Sequence, residues 1–161
     1  MNTCIIYHSP SGNTRSVAEH VKLACGGDLI EVKLREGHSP PLAYFLGLFR
    51  AMNHEWSPIE PEVIDVSSAD VVVIGTPVWT RKATPAIVSA VNALQGCSGK
   101  KAILFATCGS EAGKTLPRLA EALEEKGITV TGQVVFTGRD LKDETKLNAL
   151  AEYIEQTGRA L

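Results

Sequence analysis

Residues 69–74 read ADVVVI, a run in which neighbouring positions from Val71 to Ile74 are all apolar. A strand with one wet face alternates apolar and polar residues. An unbroken Val/Ile run suits a strand buried on both faces of a parallel sheet. Such a strand needs covering elements on each side, and the rest of the chain supplies them. Thr3–His8, Lys101–Thr107 and Val130–Phe136 are further short apolar runs, and Leu29–Leu34 alternates in the β manner. Between them lie segments with helical spacing. Asn13–Cys25 carries Val17, Ala18, Val21, Leu23 and Ala24 as its apolar face. Pro85–Leu94 has its proline in the first turn, where it is tolerated. Lys114–Lys126 is charged and amphipathic and stops at Gly127, and Asp143–Gln156 closes the chain. Strands that alternate with helices predict an α/β domain over residues 1–161, its parallel sheet wrapped on both faces. There is no internal repeat and no low-complexity linker.

Composition narrows the function classes. With 16 basic and 18 acidic residues the net charge is −2, which argues against nucleic acid as the main partner, since phosphate backbones call for a concentrated basic surface. Uninterrupted apolar runs reach only about five residues, whereas a membrane-spanning helix needs roughly 20. The N-terminal MNTCIIYHS lacks the basic start, apolar stretch and cleavage site of a signal peptide, so a cytoplasmic location is expected. Cys4, Cys25, Cys97 and Cys108 show no CxxC spacing, and free thiols are expected rather than a metal site.

The stretch His38–Pro61 breaks the rhythm. Its middle, Leu42–Met52, is predicted as a short helix whose Tyr44, Phe45, Leu48 and Phe49 pack on the sheet. The alternative is that this surface, with Trp56 in the proline-bounded tail, borders a ligand or a partner.

Ligands of open α/β sheets bind beyond the carboxyl ends of the strands. Three loops lie there: HSPSGNT (8–14), GTPVWTRKAT (75–84) and TCGSEAGKT (107–115). In the first, Ser9, Ser11, Asn13 and Thr14 offer polar side chains, and Gly12 permits close backbone approach. A helix begins at once, so its free N–H groups and dipole face the loop. That pattern predicts a phosphate site, and the absence of lysine suits a bound monoester better than a transferring phosphoryl group. A plain helix cap is the alternative. Arg15 either adds charge there or is solvated.

The third loop invites rival readings. Its GKT resembles the end of an NTPase P-loop, but only three residues separate Gly109 from Gly113, one too few. Counted from Cys108 it approaches a phosphatase cradle, with the cysteine expected at a helix N-terminus. Lys114 stands where that chemistry needs the arginine fork. A receiver domain would need acidic residues where His8 and Gly75 stand, and no GxGxxG follows any strand.

YHSPSGNTRSVAE resembles the flavodoxin phosphate loop, [ST]-x-[ST]-G-x-T followed by a helix. GTPVWTRKATPAI resembles the second flavin loop of that family and FATCGSEAGKTL the third, in the family's order and over almost the whole chain. The resemblance implies a doubly wound five-stranded parallel sheet of order 2-1-3-4-5, with helices on both faces, binding FMN. Ser9, Ser11, Gly12, Asn13 and Thr14 would hold its phosphate. Thr76, Pro77, Val78 and Trp79 would edge or cover the ring, and Thr107, Cys108 and Gly109 would flank its pyrimidine side. No catalytic side chain and no metal ligand is implied. Physically, Trp79 can stack on a flat ring and exclude water, although a tryptophan can also simply shelter a loop.

Two departures stand out. The third loop has no Tyr, Trp or Phe between Thr107 and Leu116, so one ring face is open or covered from elsewhere. The chain is also only weakly acidic, with Arg81, Lys82 and Lys114 in the flavin loops, which favours an anionic reduced flavin and a raised potential. The expected function is an electron carrier, a monomer or weak homo-oligomer, that docks redox partner proteins at the flavin edge. The alternatives are an NAD(P)H-dependent FMN oxidoreductase acting on quinones or similar acceptors, and a cofactor-free interaction module.

Overall fold

The computed structural model describes residues 1–35 and 57–160. The expected helix Leu42–Met52, with Tyr44, Phe45, Leu48 and Phe49, lies outside the described residues, as does Trp56. In chain order the elements are β1 (Thr3–Tyr7), α1 (Asn13–Cys25), β2 (Asp28–Glu31), β3 (Lys33–Leu34), β4 (Ile59–Glu60), β5 (Ile64–Asp65), β6 (Val71–Trp79) and β7 (Lys82–Ala83). There follow α2 (Pro85–Ala93), β8 (Leu94–Gln95), β9 (Lys101–Cys108), α3 (Thr115–Glu125), β10 (Thr129–Thr137), a 3₁₀ turn at Asp140–Lys142 and α4 (Glu144–Arg159).

The main sheet runs β2-β1-β6-β9-β10, with every neighbouring pair parallel. Numbering only these long strands in chain order, this is the expected 2-1-3-4-5. The unbroken apolar run behaves as its composition demands, since successive residues of β6 enter opposite cores. Ile5, Tyr7, Val71, Val73, Ile103 and Phe105 share one cluster with Val17 and Val21 of α1 and with Leu147, Leu150 and Ile154 of α4. Ile6, Val72, Ile74 and Leu104 share the other with Ile87 of α2 and with Leu119 and Leu123 of α3. Phe105 is fully buried and meets Phe136 edge to face at 6.3 Å. Gly75 lies beneath it, where a Cβ would come within 2.2 Å of the Phe105 ring.

Some boundaries differ from expectation. Leu23 and Ala24 do not belong to the buried face of α1. Both are exposed, Leu23 by 87%, while Val17, Ala18 and Val21 are buried. At about 100° per residue, Leu23 lies on the far side of the helix from Val21. The second strand is interrupted at Val32, after which Lys33–Leu34 pair antiparallel with β4. Asp143 is the N-cap of α4 rather than its first residue, its carboxylate accepting from the N–H groups of Thr145 and Lys146. The cysteines are free thiols, and burial pushes Cys4 and Cys25 up to about 11. Among the described residues, no helix is long and apolar enough to cross a membrane.

Candidate functional site

β1 stands between β2 and β6, where the winding of the sheet reverses; in open α/β sheets this is the place, beyond the strand ends, where ligands bind. Tyr7 of β1 pairs with Gly75, and β6 then continues through Thr76, Pro77, Val78 and Trp79 beyond it. The first candidate loop rises from one side of this step and the end of β6 from the other.

In the first loop Gly12 takes φ 91°, ψ −12°, a left-handed conformation, and is the N-cap of α1 with no side-chain cap. Its carbonyl accepts from Ser16 N–H at 3.0 Å. The Arg15 N–H donates to Ser9 Oγ at 2.9 Å. No described residue accepts from the backbone N–H groups of Asn13 and Thr14. Ser11 and Asn13 are exposed, whereas Ser9 and Thr14 are buried. Thr14 Oγ1 lies 2.8 Å from Thr107 Oγ1, tying this loop to the third. The polar groups of the loop therefore divide in two. Ser9 and Thr14 brace the turn, while Ser11, Asn13 and the first N–H groups of α1 face outward. Arg15 is neither free nor aimed at the loop, because its guanidinium pairs with Glu31 at 2.5 Å.

The second candidate loop is largely not a loop. β6 runs through Trp79 and turns back into β7, pairing Val78 with Ala83 and Trp79 with Lys82. The turn residues Thr80 and Arg81 have φ 50° and 60°. A tight hairpin turn needs both central residues left-handed, which is why Asn-Gly is the usual choice. Thr and Arg there cost of order 1 kcal/mol each. The apolar run that marks this strand in the sequence ends at Ile74, and Pro77 with a turn that lacks glycine gives no local sign of a continuing hairpin. Arg81 pairs with Glu111 at 2.5 Å, and a Cβ on Gly113 would lie 3.1 Å from Arg81 Cβ, so the hairpin tip rests on the third loop. Both members of that ion pair are well exposed, and it contributes little to stability. Thr84, the N-cap of α2, donates its N–H to Thr76 Oγ1 at 3.3 Å. Its own hydroxyl is buried without a partner among the described residues.

In the third loop, Thr107 and Cys108 are the last residues of β9, and Thr107 pairs with Pro77 on one side and Phe136 on the other. The expectation of Cys108 at a helix N-terminus is wrong, since α3 begins only at Thr115. Its thiol is pushed up, by burial first and then by the negative charge of Asp140, opposite to what an activated nucleophile requires. The GKT resemblance also fails locally: Thr115 Oγ1 is buried and donates to the Ala112 carbonyl at 2.6 Å. Lys114 is exposed and precedes α3 as its N-cap. Gly109 has open space around the position of a Cβ.

Behind this loop, the Asp140 carboxylate accepts from Lys146 Nζ at 2.8 Å and from the N–H of Thr137, the last residue of β10, at 2.7 Å. These bonds, the Lys146 contact foremost, lower its pKa from 3.8 to about 2. A carboxylate held low contributes stability in full above its unfolded value. That contribution declines as pH falls from about 4 towards about 2. Chemical denaturation across this window is expected to show the loss, and Asp140→Asn to flatten that part of the profile. An unchanged slope in the variant would assign the acid sensitivity elsewhere.

The sequence-selected residues thus gather at the carboxyl ends of β1, β6 and β9. Sequence reading passed over His8, which follows β1. Its Nδ1 bonds the Val32 carbonyl at 2.7 Å, and its ring stands 6.1 Å from that of Trp79 at 75°. Position at a strand end was the one available signal. Among the described residues, no group of acidic, His and Cys side chains could hold a metal ion.

No protein-family model matches the chain, and no curated protein matches it. Solved structures do. A Bacteroides uniformis protein assigned as a flavoprotein superposes with TM-score 0.76 at 22% identity, over 92% of this chain and 97% of its own. A Lactobacillus acidophilus flavoprotein solved in complex with FMN gives 0.65 at 23%, over 91% and 98%. The flavodoxin of Megasphaera elsdenii gives 0.58 at 21%, over 98% of each chain. At these identities the likeness speaks for architecture. Together with the strand order, the parallel pairing and near-complete mutual coverage, it shows that this chain has the flavodoxin-like fold.

Proposed function

We propose that the protein binds FMN in the crevice between β1 and β6 and carries electrons between redox partner proteins. The observation that carries this reading is the start of α1. A left-handed glycine and N–H groups of Asn13 and Thr14 that no described residue accepts from, flanked by the exposed Ser11 and Asn13, form a cradle suited to a phosphate monoester. Trp79, half-buried at the end of β6, gives a flat apolar surface on the other side of the step. Ser9 and Thr14 fix the loop's shape, and the Thr14–Thr107 contact sets its distance from the third loop. Pro77, Val78, Cys108 and Gly109 complete the rim, where backbone groups can hydrogen-bond a ring edge. FMN, when bound, supplies the redox chemistry. The chain's own residues hold it, orient it and limit water at the ring.

The third loop offers no aromatic side chain to a ring face. This favours, as the second reading, an FMN oxidoreductase that admits NAD(P)H and a quinone-like acceptor to that face. Purification settles the first question: a yellow protein that releases FMN on denaturation supports flavin binding. A colourless protein that fails to quench FMN fluorescence overturns it. Anaerobic addition of NAD(P)H then separates the two readings, because a carrier keeps its flavin oxidised until a partner reductase is added. Arg81, Lys82 and Lys114 border these loops, with Arg81 paired to Glu111. Potentiometric titration is expected to place the potential above those of strongly acidic flavodoxins, and equally low values would remove any role for these cations.

A further inference from the structure

His8 is 9% exposed, and it is not a satisfied core histidine. Val32 offers a carbonyl, which only accepts, so the 2.7 Å contact requires the proton on Nδ1. In the neutral ring Nε2 then carries a lone pair, and that atom is buried with no hydrogen-bond partner among the described residues. An unmet buried polar atom costs stability, a cost that an apolar side chain of similar bulk would avoid only by giving up the bond to Val32. What the imidazole does make is a second contact, edge to face with Trp79, at a separation and tilt favourable for aromatic pairs.

We propose that His8 is the positioning residue for Trp79: pinned to the end of β2 through Val32, it sets the tilt of the indole against a flavin ring. The inference rests on the FMN reading above. Trp79 is then held from two directions, by His8 and by the hairpin turn that its own strand enters. His8 does this as a neutral ring. Burial lowers its pKa below 6.5, outweighing the Val32 bond and the negative Glu31 on β2, which both raise it. Glu31 is itself paired with Arg15 and Lys33. A group held below its unfolded value contributes most stability above about pH 6.5 and less as the pH falls. Protonation would also place a proton on Nε2, where no described residue accepts it.

The test uses the Trp56→Phe protein, in which Trp79 is the remaining tryptophan. FMN and lumiflavin, which lacks the ribityl phosphate, are titrated by flavin fluorescence against His8→Ala, Trp79→Ala and the double variant. His8→Phe, which preserves bulk but cannot anchor to Val32, serves if His8→Ala does not fold. His8→Ala is expected to weaken both flavins alike, about 3- to 10-fold. The double variant is expected to bind no more weakly than Trp79→Ala alone. Losses that multiply, a loss confined to FMN, or no loss would each overturn the role of His8. Wild-type protein that binds neither flavin would overturn the cofactor reading, and this inference with it. Independently, Trp79 emission in the flavin-free protein is expected to fall as His8 is protonated, below the ordinary histidine value of 6.5 because burial lowers its pKa. That step should vanish in His8→Ala, and its persistence there would refute the contact.

Discussion

Ser11→Asp is expected to weaken FMN binding by about 100-fold while leaving riboflavin, which has no phosphate, within about threefold of wild type. Ser11 is exposed and immediately precedes Gly12, the left-handed N-cap of α1. A carboxylate there would face the N–H groups of Asn13 and Thr14, the groups proposed to take the phosphate. Two like charges about 4 Å apart at an effective dielectric near 20 repel by about 4 kcal/mol, and exposure to salt reduces this to the size expected here. The substitution has a useful asymmetry. Asp near a helix N-terminus is favourable for the helix, so the fold should be as stable or slightly more so. Reduced affinity therefore cannot be assigned to unfolding. Titrations of both flavins at fixed ionic strength make the comparison. Equal losses for FMN and riboflavin, or none for FMN, would mean that the phosphate is not held at residues 9–14.

The largest effect on stability is expected from Gly27→Ala. Gly27 joins α1 to β2 at φ 88°, and an added Cβ would lie 1.9 Å from the Thr3 carbonyl oxygen. Two costs combine. The left-handed backbone disfavours any side chain by about 1–2 kcal/mol. The clash is with backbone at the start of β1, which cannot rotate away as a flexible side chain can. Overpacking against such a neighbour adds about 1–3 kcal/mol. A total loss of about 2–5 kcal/mol is a large share of the 5–15 kcal/mol typical of a domain. Gly138→Ala is the control: Gly138 lacks a positive φ and has open space, so its change should stay within about 0.5 kcal/mol. Urea denaturation of the two variants measures the difference. Similar midpoints would mean that the α1–β2 connection shifts freely to admit the methyl group.

The fold was legible because its signals are local and repeated. Val71–Ile74 enters both cores, and the sequence pattern of β6 already required helices on both sides. The helices could be read to within a few residues from spacing and caps, except where an apolar residue such as Leu23 faces outward. The first loop was legible for the same reason: glycine, hydroxyl residues and a helix start lie within a few positions, and their geometry follows from the backbone.

The second candidate loop was less so. Its residues were selected, yet their conformation was not foreseen, because the left-handed Thr80 and Arg81 contradict the usual turn chemistry. Packing against the third loop, through Arg81, Glu111 and Gly113, accompanies that strained turn. Cys108 shows the converse. Spacing to Lys114 suggested a helix terminus, but the strand extends to the cysteine itself and burial with Asp140 raises its pKa.

The amino-acid sequence alone thus determined the alternation of strands and helices, the burial of the sheet on both faces and the loops that meet at its carboxyl edge. Those features depend on periodicity and on residue-by-residue backbone preference, which act over a few positions. Tertiary structure alone decided which polar groups brace the site and which face outward, since that depends on contacts between residues far apart in the chain. Thr14 meets Thr107, Arg15 meets Glu31, and His8 lies between Val32 and Trp79. No local pattern encodes those pairings, because they arise only when parallel strands bring separate loops to one end of the sheet.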